Sequence, residues 1–344
     1  MLFPLTAYRK LYGALKEHRK VEAEIQQLLG ELLEPAYVRP GGLPRRGPLA
    51  YAQRNFFSIL FLSLYQAIGI PAERRRLYGM INHCLRGIVT GADNILDDEY
   101  KELLPLNFPA EATRFKSVMH ILLFDRMLFR IGKRFEALGT TIAGETALDG
   151  ALFTAIVPIG AGEAQEEGGV KEIITPEAVL DTVHMYKGGK LLCLSFVAPQ
   201  LLEPVAFRDR LTLADEGIYH IGVALQMIDD LTDLYEDLRA GNHNYLVSAV
   251  FHQGNPEERQ RLATIRQNPG AGPAIETLFP ETLRRVMERA VGEALLGFRK
   301  LEQAGYWLNQ AQAYGLIRHL FVLRGVKQLL PFFPTQAAAR GARP

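Results

Sequence analysis

Cysteine and tryptophan are nearly absent from this 344-residue chain, which has two cysteines, Cys84 and Cys193, and one tryptophan. Two cysteines are too few for a disulfide framework or a cysteine-held zinc. Both lie among apolar neighbours, so inert buried thiols are expected. No charge of one sign dominates: 39 Lys+Arg against 38 Asp+Glu leave a net +1. That balance gives no electrostatic ground for nucleic acid or an anionic membrane as the main partner. Long hydrophobic runs are missing too. The most apolar stretch, Phe56 to Ile70, is broken by Ser58, Ser63 and Gln66 and falls short of a bilayer span. The opening Met1-Leu-Phe-Pro-Leu-Thr-Ala-Tyr-Arg turns polar too early for a secretory signal. A soluble, cytoplasmic protein with no transmembrane segment is expected. Its 48% hydrophobic and 22% charged residues are those of a folded globular chain.

Proline organises what is present. The 19 prolines leave long free stretches at 49–70, 72–104, 110–157, 177–198, 205–255 and 281–330. Proline breaks helix interiors, so helices are expected within those stretches. Asn255-Pro256-Glu257-Glu258 and Thr175-Pro176-Glu177 each offer a cap, a first-turn proline and acid beside the helix N-terminus. Alternating strand patterns are absent, and apolar spacing in 114–138 and 284–302 has a helical period. Segment 35–48 and the stretch around Gly160 to Gly169 read as loops. The expectation is an all-α fold of ten or so helices in a single domain, 1–334, with a loose tail at 335–344.

Two acidic patches lie inside apolar helices. In Gly91-Ala-Asp93-Asn94-Ile-Leu-Asp97-Asp98-Glu99, Asp93 and Asp97 are four apart and share a helix face. In Gln226-Met-Ile-Asp229-Asp230-Leu-Thr-Asp233-Leu-Tyr-Glu236-Asp237, the residues Asp229, Asp233 and Asp237 make a carboxylate stripe. Stacked carboxylates beside apolar turns repel one another and resist desolvation unless cations neutralise them. Oxygen donors without a cysteine or histidine cluster suit magnesium, which keeps waters and completes its shell with substrate phosphates. A diphosphate held through metal ions is the natural ligand.

At these residues the chain resembles the trans-isoprenyl diphosphate synthases and their relatives, the class I terpenoid synthases. That family is all-α, with two aspartate-rich motifs facing each other across a central cavity. Gln226-Met-Ile-Asp229-Asp230-Leu-Thr-Asp233 matches its second motif, Q-x-x-D-D-x-x-D, in full. Asp93-Asn94-Ile-Leu-Asp97 resembles the first, D-D-x-x-D, with Asn94 in second place. Asp237-Leu-Arg239-Ala-Gly-Asn242 is similar to the D-L-R-x-G-K segment, with Asn242 for lysine. Looser likenesses are Phe124-Asp125 to the G-D-x-L-L helix, Gly162-Glu163-Ala-Gln165 to the G-E/Q helix, and Lys187-Gly188 to the K-T pair. The resemblance implies a cluster of three magnesium ions with substrate bound. It implies Asp93, Asp97, Asp229, Asp233 and Asp237 as metal ligands, with Asp98, Gln226, Asp230 and Glu236 as further motif residues. Arg86, Asn94, Lys187, Lys190 and Arg239 are the expected diphosphate contacts.

Departures from the family pattern bear on the reaction. Elongating members bind isopentenyl diphosphate with a G-G-K-R-x-R-P loop, where this chain has Gly41-Gly42-Leu43-Pro44-Arg45-Arg46-Gly47-Pro48. The arginine pair after the first motif is missing, no arginine follows until Arg114, and Arg86 replaces an expected histidine. Isopentenyl diphosphate is therefore not expected to be obligatory. Asp233-Leu-Tyr-Glu236-Asp237 is also similar to the D-x-x-E-D motif of squalene and phytoene synthases. The Asp229/Asp233/Asp237 spacing equals that of the terpene-cyclase metal motif.

The leading expectation is Mg²⁺-dependent ionisation of one allylic prenyl diphosphate, followed by cyclisation or rearrangement. The second is prenyl transfer, by chain elongation or head-to-head condensation. The third is a non-catalytic subunit regulating a partner synthase. Ile88 and Val89 are the expected floor of the chain pocket, with Phe124 as an alternative plug. Neither floor residue is aromatic, which implies farnesyl or longer substrates. A homodimer is kept open.

Overall fold

Helix starts follow local capping chemistry where the sequence places it. The computed structural model describes residues 5–44, 47–137, 145–270, 272–323 and 326–335. Arg45, Arg46 and residues 336–344 of the expected tail lie outside the described residues. Fifteen α-helices and no strand occur among the described residues, so the all-α expectation holds. Val38 and Leu106 make an isolated bridge. The described chain divides into two compact units: Leu2–Leu152 with Leu194–Arg208, and Phe153–Cys193 with Asp209–Pro344.

The N-terminal unit is built on α1 (Leu5–Leu32), α2 (Pro48–Arg54), α3 (Phe56–Ile68), α4 (Ala72–Leu96) and α5 (Thr113–Ala137). Helix α3 is apolar on nearly every side and is buried from Ile59 to Tyr65, as a helix without a polar face must be. Helices α4 and α5 approach closely because Gly87 has no side chain: a Cβ there would meet the Phe124 ring at 2.1 Å. A buried carboxylate in this unit is paired. Arg74 forks onto Glu203 with both contacts at 2.8 Å, and the Tyr78 hydroxyl donates to the same carboxylate. Those bonds tie α4 to the chain just after α8 (Leu191–Leu202).

Helix α6 (Glu145–Ala164) continues through Pro158, and α8 continues through Pro199. The expectation that proline ends these helices is corrected. A proline removes one hydrogen bond and kinks the axis, and here the apolar faces on either side of it remain helical. The loop expected around Gly160 starts only after Ala164.

The C-terminal unit begins as the caps indicate. Thr175 Oγ1 accepts from Ala178 N–H, and α7 (Pro176–Ala178) runs directly into a twelve-residue π-helix, Val179–Lys190. Helices α9 (Arg208–Thr232), α10 (Leu234–Ala240), α11 (Tyr245–Gln253) and α12 (Pro256–Gln267) follow. After them come α13 (Ile275–Leu278), α14 (Pro280–Gln303) and α15 (Gln310–Leu323). Asn255 caps α12 through Glu258 N–H at 2.8 Å. Buried Glu258 in turn accepts from Glu281 N–H, Thr282 N–H and the Thr282 hydroxyl, supplying the acceptors that the start of α14 lacks. A close crossing here rests on paired glycines. A Cβ on Gly188 would lie 2.4 Å from the Gly222 carbonyl oxygen, and one on Gly222 would lie 2.2 Å from that of Gly188.

Candidate functional site

The first acidic segment closes α4. Asp97 is its C-cap and donates its N–H to the Asp93 carbonyl at 2.8 Å, so the four-residue spacing of the two carboxylates is helical. Asp93 is half-buried and Asp97 exposed. Asp98 has φ 52°, the left-handed conformation that aspartate tolerates, and it turns the chain. It pairs with Arg114 at 3.1 Å on the surface. Asn94 corrects an expectation. It is 2% exposed and is engaged by the backbone of Lys101: Oδ1 accepts from Lys101 N–H at 2.9 Å and Nδ2 donates to its carbonyl at 3.2 Å. The side chain is used to clasp the turn, where a diphosphate contact was expected.

That clasp presents a cation which the motif comparison missed. Lys101 bonds to Glu99 at 2.8 Å, and this bond first, then the nearby Asp93 and Asp97 carboxylates, hold its ammonium above the ordinary lysine range. No local signal marks it, because the contact is made by the turn after Asp97.

Further along the same unit, Arg86 donates to Asn55 Oδ1 at 2.9 Å. Burial and then the neighbouring Arg54 lower its pKa. His18 and His83 lie close by, their rings 6.4 Å apart, and His18 Nδ1 is 2.7 Å from the Tyr51 hydroxyl. Burial, then Arg86, pulls His18 down to about 4, and His83 is lowered by the same causes, so both are neutral. Ile88 and Val89 are half-buried. Phe124 is fully buried against Gly87, one residue before Ile88.

The second acidic segment spans the α9–α10 junction. The helix bends at Asp233, so the expected stripe is not one regular helix. Its period survives, because Asp233 N–H bonds to the Asp229 carbonyl and Asp237 N–H to that of Asp233, both at 2.9 Å. Asp229 is half-buried and Asp233 and Glu236 are exposed. Asp230 faces inward and is 3% exposed. It accepts from Tyr245 N–H and from Gln226 Nε2, and lies 2.9 Å from His184 Nε2. Gln226 and Asp230 therefore serve structure, joining the π-helix, α9 and α11. Burial raises Asp237 to about 7, repulsion from Asp230 and Asp233 adds to the effect, and bonds from Asn244 and Asn242 oppose it.

Lys187, on the π-helix, contacts Glu163 at 2.9 Å and Glu166 more closely still. Burial alone would lower its pKa, but the two carboxylates outweigh burial and raise it. Glu166 is buried and also accepts from His243 N–H at 3.2 Å. Lys190 is exposed, its ammonium 5.9 Å from the centre of the Tyr219 ring, and Arg239 is exposed on α10.

Among the described residues no three acidic, histidine or cysteine side chains gather closely enough to hold a metal ion alone. The donor chemistry fits magnesium: carboxylate oxygens at four-residue steps, which waters and phosphate oxygens would complete. No helix among the described residues is long and apolar enough to cross a membrane.

No protein-family model and no curated protein matches the sequence. Solved structures do. Octaprenyl pyrophosphate synthase from Helicobacter pylori superposes with TM-score 0.57 at 15% identity, covering 91% of this chain and 98% of that one. A polyprenyl synthetase from Streptomyces coelicolor A3(2) gives 0.55 at 16% identity, covering 96% and 98%. Geranylgeranyl pyrophosphate synthetase from Pyrococcus horikoshii Ot3 gives 0.54 at 18%, covering 89% and 95%. At such identities the likeness speaks for the backbone, and the chain has the all-α fold of the trans-isoprenyl diphosphate synthases.

Proposed function

We propose that the protein is a magnesium-dependent prenyltransferase that ionises an allylic prenyl diphosphate and joins the chain to a second prenyl unit. The observation that carries the reading is the division of roles in Gln226–Asp237. Asp230 is committed to structure, while Asp229, Asp233 and Asp237 keep helical spacing with the middle carboxylate in solvent. The geranylgeranyl and octaprenyl synthase names of the structural neighbours agree with transfer, and this reading replaces cyclisation as the first choice.

Magnesium, when bound, would supply the positive charge that stabilises a departing diphosphate. Asp229, Asp233 and Asp237 are proposed as magnesium ligands of the C-terminal unit, and Asp93 and Asp97 as magnesium ligands of the N-terminal unit. Lys187 would contact diphosphate oxygens by exchanging Glu163, the more exposed of its two carboxylate partners, while Glu166 keeps the ammonium in place. Lys190 and Arg239 add exposed positive charge on the same unit. Arg86 and Arg54 supply cationic charge in the N-terminal unit. Farnesyl or longer chains are proposed because Ile88 and Val89 are not aromatic.

Cyclisation stays as the second reading, favoured by the absence of arginine between Asp97 and Arg114. Incubation with geranyl, farnesyl and geranylgeranyl diphosphates and Mg²⁺, with and without isopentenyl diphosphate, separates the two. Longer linear products only with isopentenyl diphosphate are expected, and Asp233→Asn should cut turnover by orders of magnitude. Cyclic products independent of isopentenyl diphosphate would install cyclisation. No turnover under any condition would leave the regulatory subunit.

A further inference from the structure

Asp237 has built surroundings. Asn244, 3% exposed, turns Nδ2 to two acceptors, the Asp230 carbonyl and Asp237 Oδ2, both at 2.7 Å. Its Oδ1 accepts from Val247 N–H at 3.1 Å and starts α11. The Asn242 side chain lies near enough to oppose the rise in the Asp237 pKa. The chain can deliver both because Gly241, at φ 76°, reverses it directly after α10. Gly241 N–H and Asn242 N–H then donate to the Asp237 carbonyl at 2.8 and 2.9 Å. The loop is pinned from outside as well, since Val170 N–H donates to the Gly241 carbonyl at 2.7 Å.

We propose that Asn244, seconded by Asn242, is a positioning residue that orients the Asp237 carboxylate for a magnesium ion without neutralising it. The inference rests on the metal reading given above. A neutral amide fixes the carboxylate by a hydrogen bond and leaves its charge for a cation. Because one Asn244 amide holds both the Asp230 backbone and Asp237 Oδ2, the carboxylate is tied to the inner wall of its own helix junction. Its rotation is restricted by that bond. Both asparagines come from the loop that follows the acidic helix, so orientation and chain reversal are supplied by the same four residues.

Thermal unfolding followed during a Mg²⁺ titration with inorganic pyrophosphate reads metal binding without turnover. Wild type should be stabilised. Asn244→Ser keeps an acceptor for Val247 N–H but loses the amide donor, and Asn242→Lys keeps a donor but adds charge. Each should raise the Mg²⁺ concentration for half-maximal stabilisation about tenfold. Without metal, Asn242→Lys should melt at or above wild type, because its ammonium relieves carboxylate repulsion. A purely structural role would not produce that split. If Asn244→Ser does not fold, Asn242→Lys decides. Wild-type midpoints in the folded variants overturn the positioning role and leave the metal site standing. Absence of any Mg²⁺-dependent stabilisation in wild type overturns the metal reading itself.

Discussion

His18 and His83 are buried, neutral and incompletely paired: among the described residues, His18 Nε2 and His83 Nδ1 have no hydrogen-bond partner. Burial and the Arg86 charge set their chemistry, and the consequence is a pH-dependent stability. His18 titrates near 4 in the folded protein and near its ordinary 6.5 when unfolded. Between those values the unfolded chain binds more protons, so stability falls as pH drops through that window. Each histidine of this kind contributes at most about 1.4 kcal/mol per pH unit. Urea unfolding at pH 7, 6 and 5 should show wild type losing more stability than His18→Gln, which has no titrating ring. Parallel losses would show that His18 is not the source. Asn94 and Asp230 carry the opposite lesson at this scale. Both fall in aspartate-rich motifs, and both are buried and held by hydrogen bonds.

At the scale of elements, the π-helix Val179–Lys190 and α9 depend on backbone contact through Gly188 and Gly222. Glycine in a helix costs about 1 kcal/mol relative to alanine. The crossing offsets this by letting two helices meet without side chains between them. Gly188→Ala should destabilise by about 1–3 kcal/mol, because its Cβ would meet the Gly222 carbonyl oxygen at 2.4 Å. Gly160→Ala, in α6 with nothing within 4 Å of the new methyl, should be neutral or stabilising by up to about 1 kcal/mol. Denaturant midpoints of the two variants check the contrast, and equal effects would remove the close-crossing argument. π-Helical turns concentrate at functional sites, and this one carries Lys187 and Lys190.

Across the whole molecule, the exposed residues of α5 include Phe115, Val118 and Leu122 at spacings of three and four, one apolar stripe on a helix of the N-terminal unit. Apolar side chains in such a row are covered in assemblies more often than left in water. A homodimer with this stripe buried is expected. Sedimentation equilibrium should give a dimer for wild type and a monomer for Leu122→Glu. A monomeric wild type would return the stripe to solvent.

Helical class, the starts at Thr175 and Asn255, the two acidic segments and their four-residue period were legible in the sequence. Those properties are local: caps, prolines and periodicity act within a few residues of themselves. Chain reversal by Gly241 is equally local, but what the reversal brings to Asp237 is not. The pairing of Lys187 with Glu163 and Glu166, the clasp of Asn94 on Lys101 and the inward turn of Asp230 were decided by tertiary structure. So was helix continuity through Pro158 and Pro199. Carboxylates and amides of identical type are left exposed or become anchors according to burial and to partners far along the chain, and neither burial nor partner is written in spacing alone.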